Sequence, residues 1–277
     1  MFDPATIDSA LRVVRDPRLA RVEEAGLNAS QPREQLLFDG WLLRFSPGKA
    51  RRARSINAIA DGELPLDKRV ETCRCWYDRF RLPLLVRVTP FSRPARLDEY
   101  LAIAGFVACD ETRVMTCGLD RIEAAAAEAA AREVDACAFA AVVGRLRGSA
   151  PGQVEAHQRR LLDSPLKGST VRLVAFGKDD APLAAGQVVV ENELAGVYDV
   201  VTAEHVRSRG YGRAISRQLL AAAAALGANT AYLQVDAGNA SARRIYSALG
   251  FADRYAYWYR QPADAVEAVL PQEGATT

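Results

Sequence analysis

The chain has 277 residues, of which 49% are apolar and 25% are charged, and its formal net charge is +2. The length allows two domains with separate cores, the composition is that of a globular protein, and so small a charge excludes nucleic acid as the main partner. The amino terminus has an acid at Asp3 and no long apolar core, which excludes a signal peptide, and the longest apolar stretches are too short to span a bilayer. We therefore expect a cytoplasmic protein that binds neither nucleic acid nor membrane.

The chain contains five cysteines, an odd number with no Cys-x-x-Cys pair. The Cys73-x-Cys75 spacing is compatible with two metal ligands, but no second cluster exists to complete a site. We predict reduced, mostly buried thiols and no bound metal. The set consists of Cys73, Cys75, Cys109, Cys117 and Cys137.

The first 120 residues mix helical and strand patterns. Apolar residues recur at near-helical spacing from Pro4 to Asn28 with a break at Pro17, which predicts two short helices. Two strands follow, Gly40–Phe45 and Arg54–Ile59. The remaining elements of this half are predicted as helix Asp67–Phe80, strand Leu82–Val88, helix Leu97–Ala104 and strand Glu111–Leu119.

A basic cluster lies around the second of these strands and consists of Lys49, Arg51, Arg52 and Arg54. Such a cluster can bind nucleic acid, but here no aromatic residues are interleaved with the cations. We predict that these side chains belong to a solvated loop and strand edge.

The second half begins after an alanine-rich stretch, Leu119 to Glu133, whose composition favours a helix with little to bury. We predict a helical linker over residues 121–133 and a flexible tail over residues 263–277. The elements between them are predicted as helices Phe139–Leu146 and Gln153–Leu162, strands Val171–Phe176, Leu183–Glu191 and Ala195–Thr202, helix Arg213–Leu226, strand Thr230–Val235, a short helix opened by Asn239, and strand Arg254–Arg260.

The two halves repeat one order of elements. Strand, short helix, Gly-Phe and strand describe both Leu82 to Leu119 and Ala231 to Arg260. A tandem duplication explains this repeat, with domains at residues 1–120 and 134–262. The first copy has Asp61 and Glu63 ahead of its helix, where a phosphate would need amides and cations, so we expect it not to bind one.

The turn between Thr202 and Arg213 has the pattern of an anion-binding loop. Gly210 and Gly212 stand between a strand and a helix, where glycine permits positive φ and close approach of a ligand. The first amides of that helix have no partner within the helix, so a phosphate can accept from them. A dinucleotide fingerprint is excluded because Ile215 replaces its third glycine, and a P-loop is excluded because Gly-Lys-Ser/Thr is absent.

The pattern Arg207-x-x-Gly210-x-Gly212 resembles the acyl-CoA loop of the GCN5-related N-acetyltransferase (GNAT) superfamily. Residues 239–251, from an asparagine to a Gly-Phe pair, resemble the second motif of that superfamily. The resemblance implies an α/β (α+β) protein with two GNAT-like domains, each a mixed, mostly antiparallel central sheet flanked by helices. The amino-terminal domain would be degenerate, and acetyl-CoA would be the co-substrate.

The resemblance also assigns roles to single residues. Tyr246 would protonate the departing thiolate, although a core aromatic would have the same spacing. Asn239 would hydrogen-bond the CoA arm, although asparagine is also a favoured helix N-cap. The strands before and after the loop would separate, and backbone amides near Val200 and Val201 would polarise the thioester carbonyl. The implied cofactor-binding residues are Val200, Val201, Thr202, Arg207, Ser208, Arg209, Gly210, Tyr211, Gly212, Arg213, Asn239 and Ala242.

The general base is the least defined role. Asp199 lies on the separating strand where the superfamily often has a carboxylate, but an exposed carboxylate with a pKa near 4 is a poor base for an ammonium and would need a water relay. Other candidates remain open, each with a solvated surface residue as the alternative: Glu191, Glu204 and His205.

The function expected from these features is direct transfer of an acetyl group from acetyl-CoA to an amine, with a small molecule as the expected acceptor. Two alternatives remain: acetylation of a protein lysine or amino terminus, and acyl-CoA binding without turnover. The first half would complete the acceptor groove, in a monomer or a homodimer.

Overall fold

The computed structural model describes residues 2–14, 16–46, 50–120 and 131–266. The strands are β1 Glu34–Phe38, β2 Trp41–Phe45, β3 Ile56–Ala58, β4 Val86–Val88, β5 Phe106–Gly118, β6 Ala131–Glu133, β7 Thr170–Phe176, β8 Pro182–Glu191, β9 Leu194–Thr202, β10 Thr230–Asp236 and β11 Ala252–Pro262. The helices are α1 Ser9–Arg12, α2 Arg18–Ala29, α3 Leu66–Arg79, α4 Leu97–Ile103, α5 Ala136–Arg147, α6 Pro151–Asp163, α7 Tyr211–Ala225 and α8 Ala240–Ala248. Within these ranges, no helix is long and apolar enough to cross a membrane.

All described strands join in one sheet of 11 strands, in the order β1-β2-β3-β4-β11-β5-β10-β9-β8-β7-β6. Most neighbouring pairs are antiparallel, and the exceptions are β3 with β4 and β9 with β10. With helices flanking this mixed sheet, the fold class expected from the sequence is confirmed. The two half-sheets are therefore continuous with each other.

The last strands of the two halves are exchanged. β11, from the second half, pairs with β4 of the first, with Trp258 opposite Val88. β5, from the first half, pairs with β10 of the second, from Thr230 opposite Gly118 to Asp236 opposite Thr112. β5 and β11 also pair with each other at the centre of the sheet. Each half-sheet is thus completed by a strand from the other half, and we propose that the division near residues 120 and 134 separates two copies that fold together.

Helices cover both faces of β7–β10, and this arrangement positions the site. α7 packs on one face through an apolar stripe that includes Ile215, Leu219 and Ala223. The opposite face is covered by α5 and α6, whose core includes Phe139 and Leu161, and by α2. Because successive side chains of a strand point to opposite faces, the residues of β9 divide between these two environments.

The structure departs from the expected elements in several places. β1 was not expected, because its side chains are mostly exposed and lack a clear apolar alternation. Ala131–Glu133, predicted as the end of a helical linker, forms β6, because pairing with β7 satisfies its backbone and outweighs the helix propensity of alanine. The strand predicted over Leu82–Val88 is limited to β4. The rest of the predicted linker, residues 121–130, and the predicted tail from 267 onward lie outside the described residues.

All five cysteines are free thiols. Cys73 and Cys117 are buried, Cys109 is half-buried, and Cys75 and Cys137 are exposed, so the expectation of mostly buried thiols is only partly met. Burial raises the pKa of Cys73 and of Cys117 to about 12, which keeps both thiols protonated at neutral pH. Among the described residues, no group of three or more His, Cys, Asp or Glu side chains is arranged to hold a metal ion.

Candidate active site

The loop before α7 presents unused backbone amides at a helix amino terminus. Ser208 and Gly210 have positive φ, 62° and 87°, and no side chain caps the helix. Ala214 donates to the Gly210 carbonyl at 2.9 Å, whereas the amides of residues 210–213 donate to no acceptor in the described part of the chain. Exposed guanidinium groups surround these amides: Arg207, Arg209 and Arg213. Amides and cations at one helix end can bind a phosphate group.

Gly212 lies where the loop approaches β9 and α8. A Cβ built there would lie 3.2 Å from Thr202 Oγ1 and 3.9 Å from Ile245 Cδ1. The predicted cofactor residues Thr202 and Gly212 are thus neighbours, and the loop opens beside the second predicted motif.

β9 and β10 separate beside this loop. Their parallel pairing runs from Leu194 opposite Thr230 to Val197 opposite Leu233 and ends there. In β9 a bulge follows, because the register with β8 shifts between Tyr198 and Val201, and Asp199 has a φ of 54°. Beyond Val197, the edge of β9 that faced β10 has no strand partner, so its backbone groups face an opening in the sheet. The expected separation of these strands is confirmed.

A cavity of about 330 Å³ occupies this opening and reaches both faces of the sheet. On the α7 and α8 side it is lined by Asn239, Ala242 and Tyr246, and at the strands by residues that include Val200. On the opposite side it is lined by α5, α6 and β7 and by first-half residues at the end of α2 and in the turn Arg51–Arg54. The cavity therefore has lining residues from both faces of the sheet.

Tyr246 lies in the wall of this cavity on the α8 side. The ring is half-buried and packs edge-on against Phe251, with 5.7 Å between ring centroids. Burial raises the pKa of Tyr246 to about 12, against a smaller lowering by the side chain of Ser216. The phenol is therefore protonated at neutral pH and can donate a proton into the cavity. Packing and proton donation are compatible roles for this residue.

Asn239 is the N-cap of α8. Its Oδ1 accepts from the Ala242 amide at 3.0 Å, as the sequence predicts for an asparagine before a helix. The residue is exposed and lines the cavity together with Ala242. The cap uses only the oxygen, so the side-chain NH₂ group is left for other contacts.

Asp199 has a different environment from the exposed carboxylate expected from the sequence. Oδ1 accepts from Arg147 Nη1 at 3.0 Å, and Oδ2 accepts from Gln187 Nε2 at 2.9 Å and lies 3.3 Å from His157 Nε2. Burial raises the pKa of Asp199, but the His157 imidazole and the Arg147 guanidinium outweigh it and hold that pKa well below its usual range. Such a carboxylate is a weak base.

The other candidate bases lie away from the cavity. Glu191 accepts from Asn28 Nδ2 at 3.0 Å and lies 3.4 Å from Arg21, at the far end of β8. Glu204 and His205 are exposed in the loop before α7. Within the described part of the chain, none of these side chains lines the cavity.

Several polar residues that line the cavity were not assigned to the site from the sequence. The basic cluster was assigned to a solvated loop, yet Arg52 turns inward and lines the cavity. Arg172 gave no usable signal, because a charge between Val171 and Leu173 is the usual pattern of a strand with one solvated face. The missed lining residues are Arg52, Arg147, Arg160, Arg172 and Gln187.

The fold is shared with solved acetyltransferase structures. A GCN5-related N-acetyltransferase from Kribbella flavida is 18% identical with a TM-score of 0.60, over 93% of this chain and 97% of that one. A tandem GNAT protein from the clavulanic acid biosynthesis pathway is 15% identical with a TM-score of 0.54, over 69% of this chain and 67% of that one. A GCN5-related N-acetyltransferase from Sphaerobacter thermophilus is 19% identical, also at a TM-score of 0.54, over 69% and 65%. No curated protein matches in sequence.

The shared fold, together with a matching family model, defines the chain as an acetyltransferase of the GNAT superfamily. The family model described as "Probable histone acetyltransferase Rv0428c C-terminal" matches residues 18–260. The match extends over both halves of the sheet, and the chain belongs to this family.

Proposed function

We propose that the protein transfers an acetyl group from acetyl-CoA directly to the amine of a small molecule. The observation that carries this proposal is the cavity in the gap between β9 and β10, which is lined by residues from both faces of the sheet. Two substrates could meet there from opposite sides, as a direct transfer without a covalent enzyme intermediate requires.

The second half has the groups that acetyl-CoA needs. The pyrophosphate would accept from the amides of residues 210–213 and pair with Arg207, Arg209 and Arg213. The pantetheine arm would lie along the free edge of β9, and amides near Val200 and Val201 would polarise the thioester carbonyl. Thr202, Ser208, Tyr211, Asn239 and Ala242 complete the proposed cofactor site.

The proposed reaction forms a bond from the amine nitrogen to the acetyl carbon and breaks the bond from that carbon to sulfur. Tyr246 supplies its proton to the departing thiolate, since the phenol is protonated over the physiological pH range. The amine loses its proton to water. Asp199 has a positioning role in this proposal, because its contacts with Arg147 and Gln187 hold the bulge of β9. Burial raises its pKa, but His157 and Arg147 lower that pKa by more, which makes Asp199 a weak base.

A second candidate is acetylation of a protein lysine or amino terminus, and the name of the family model favours it. The small-molecule acceptor is supported by the cavity, whose volume of about 330 Å³ is at the lower end for ligand sites. A binding protein without turnover would not need a protonated phenol in the cavity wall. The free cysteines are compatible with the proposed cytoplasmic location.

The test is a panel of small amines, lysine peptides and peptides with free amino termini, each incubated with acetyl-CoA while released thiol is measured. We expect thiol release with small amines at rates above those with the peptides. Faster thiol release with a peptide would show that the acceptor is a protein and not a small molecule. Binding of acetyl-CoA without release by any amine would support the binding protein.

A further inference from the structure

The cavity face opposite α8 is strongly cationic. Four guanidinium groups line it, and Asp199 supplies the carboxylate on that face. They come from both halves of the chain and from separate elements, so the charge is not a property of one helix. The four are Arg52 in the turn before β3, Arg147 at the end of α5, Arg160 in α6 and Arg172 in β7.

Asp199 does not neutralise this group. Its two oxygens are already engaged by Arg147, Gln187 and His157. Arg147 is thereby paired, and the charges of Asp135 and Glu133 act on Arg172, although neither of these described carboxylates forms an ion pair with it. The remaining cations on this face are Arg52 and Arg160.

Arg52 and Arg160 have no carboxylate within 4.0 Å among the described residues. Arg52 lies with its guanidinium carbon 5.6 Å from the centre of the Tyr198 ring, and its Nη1 is shielded from water without a hydrogen-bond partner in the described part of the structure. Burial lowers the pKa of Arg160, and the charges of Arg52 and Arg147 lower it further against the attraction of Asp199. Both guanidinium groups line the same cavity, so their like charges are unfavourable to each other.

A buried cation with an unused donor is costly unless an anion or a hydrogen-bond acceptor is bound. Guanidinium groups match carboxylate and phosphate oxygens in geometry and bind them through charge-assisted hydrogen bonds. The same pair would repel a second ammonium group, as in a lysine-rich peptide. The face is therefore complementary to a negatively charged acceptor.

We propose that the acceptor is a small amine that carries an anionic group, a carboxylate or a phosphate, and that Arg52 and Arg160 bind that group. This inference rests on the proposed N-acetyltransferase function and specifies its substrate class. The first half of the chain then contributes to catalysis through Arg52, which selects and orients the acceptor while the second half holds acetyl-CoA.

The experiment compares amines in matched pairs that differ only in the anionic group: amino acids against their amides, and phosphoethanolamine against ethanolamine. Released thiol gives kcat/KM for each amine with acetyl-CoA. The same amines are added to protein saturated with CoA, and the change in melting temperature reports binding without turnover. The amino-acid pairs test whether the site binds a carboxylate, and the phosphoethanolamine pair tests whether it binds a phosphate.

We expect the anionic member of at least one type of pair to have a kcat/KM about 10-fold or more above its partner, as a charge-assisted contact implies. Arg52→Gln and Arg160→Gln should each raise KM for that amine by about 10-fold and leave the neutral partner unchanged. Arg159→Gln is the matched control, because Arg159 is on the same helix but pairs with Glu155 at the surface.

Equal or better binding and turnover of the neutral member in both types of pair would overturn the anionic acceptor. So would an anion preference that persists in both arginine variants. In each of these cases, turnover of any amine would leave the N-acetyltransferase proposal intact. If acetyl-CoA itself gave no change in melting temperature, the proposed function would fail first.

Discussion

The loop ahead of α3 and the loop ahead of α7 follow strands in corresponding parts of the two halves, but they use their backbone amides in opposite ways. In the first, the amides of Glu63 and Leu64 donate to the carboxylate of Asp39 at 2.9 and 3.1 Å. Arg69 pairs with the same carboxylate at 2.8 Å. In the second, the amides of residues 210–213 donate to no acceptor among the described residues.

This difference shows that a loop between a strand and a helix can use its backbone amides to stabilise the fold in the first half, whereas in the second half the amides stay available for a ligand. A Cβ at Gly62 would lie 2.3 Å from the Asp39 carboxylate, so the first loop has no room for a further anion. In the second loop, a Cβ at Gly210 would meet nothing within 4 Å. The first half has thus supplied its own anion, and we propose that only the second half binds acetyl-CoA.

The largest effect is expected when a carboxylate is placed in the second loop. Gly212→Asp would put a negative charge beside the proposed pyrophosphate site, where like charges cost several kcal/mol. Acetyl-CoA affinity should fall by at least about 100-fold, since each 1.4 kcal/mol is tenfold. Acetyl-CoA should raise the melting temperature of the wild type but not that of Gly212→Asp.

The matched control is Gly152→Asp, which makes the same substitution at the second residue of another helix, α6. A Cβ at Gly152 would meet nothing within 4 Å, so this variant should fold and bind acetyl-CoA as the wild type does. An undiminished rise in Gly212→Asp would remove the loop from the proposed site.

The next effect concerns the tyrosines of α8 and α4. Tyr246→Phe keeps the ring and its contact with Phe251 but removes the proton, so kcat should fall about 100-fold while acetyl-CoA binding is unchanged. Tyr100→Phe, in the first-half helix, should leave kcat unaltered. The rates are to be compared on an acceptor whose chemical step limits turnover. A wild-type kcat in Tyr246→Phe would show that Tyr246 only packs against its neighbours and does not donate the proton.

The smallest effect is expected for the first loop. Asp39→Asn should lower the melting temperature by a few degrees, because the Glu63 and Leu64 amides and Arg69 lose a charged acceptor. These same contacts, the Glu63 amide foremost, hold the pKa of Asp39 below its usual value. A lowered pKa contributes stability above the unfolded-state pKa, near 4, and that contribution is lost as pH falls through the folded-state pKa.

The difference between wild type and Asp39→Asn should therefore be largest at neutral pH and disappear in acid. Asp61→Asn, at an exposed acid of the same loop, is the control and should leave the melting temperature unchanged at both pH values. A difference that persists undiminished below the pKa of Asp39 would show that the carboxylate charge does not stabilise the first loop.

The local features of this comparison could be predicted from the sequence, because they depend on neighbouring residues. Glycines before α7, the Asn239 cap and the repeated order of strand, helix and strand are of this kind. Asp61 and Glu63 distinguish the first loop from the second in sequence, and the expectation that this loop does not bind CoA stays a prediction. The residue that fills it is Asp39, which is distant in sequence and becomes its neighbour only through folding.

The long-range features could not be predicted. Exchange of β5 and β11 depends on which strand edges meet in space, and the sequence pattern of each strand is the same with either partner. The cavity face formed by Arg52 and Arg160 brings together residues from both halves, and their separate local patterns resemble those of solvated side chains. Placement of Asp199 in a network with Arg147 and His157 has the same origin.

Calorimetric titration of the wild-type chain with acetyl-CoA tests the central claim most directly, since it counts the loops that bind. Unequal use of the two loops predicts a stoichiometry of one acetyl-CoA per chain, and this single binding event should be absent in Gly212→Asp. A stoichiometry of two, or one site that persists in that variant, would contradict the assignment of binding to the second half.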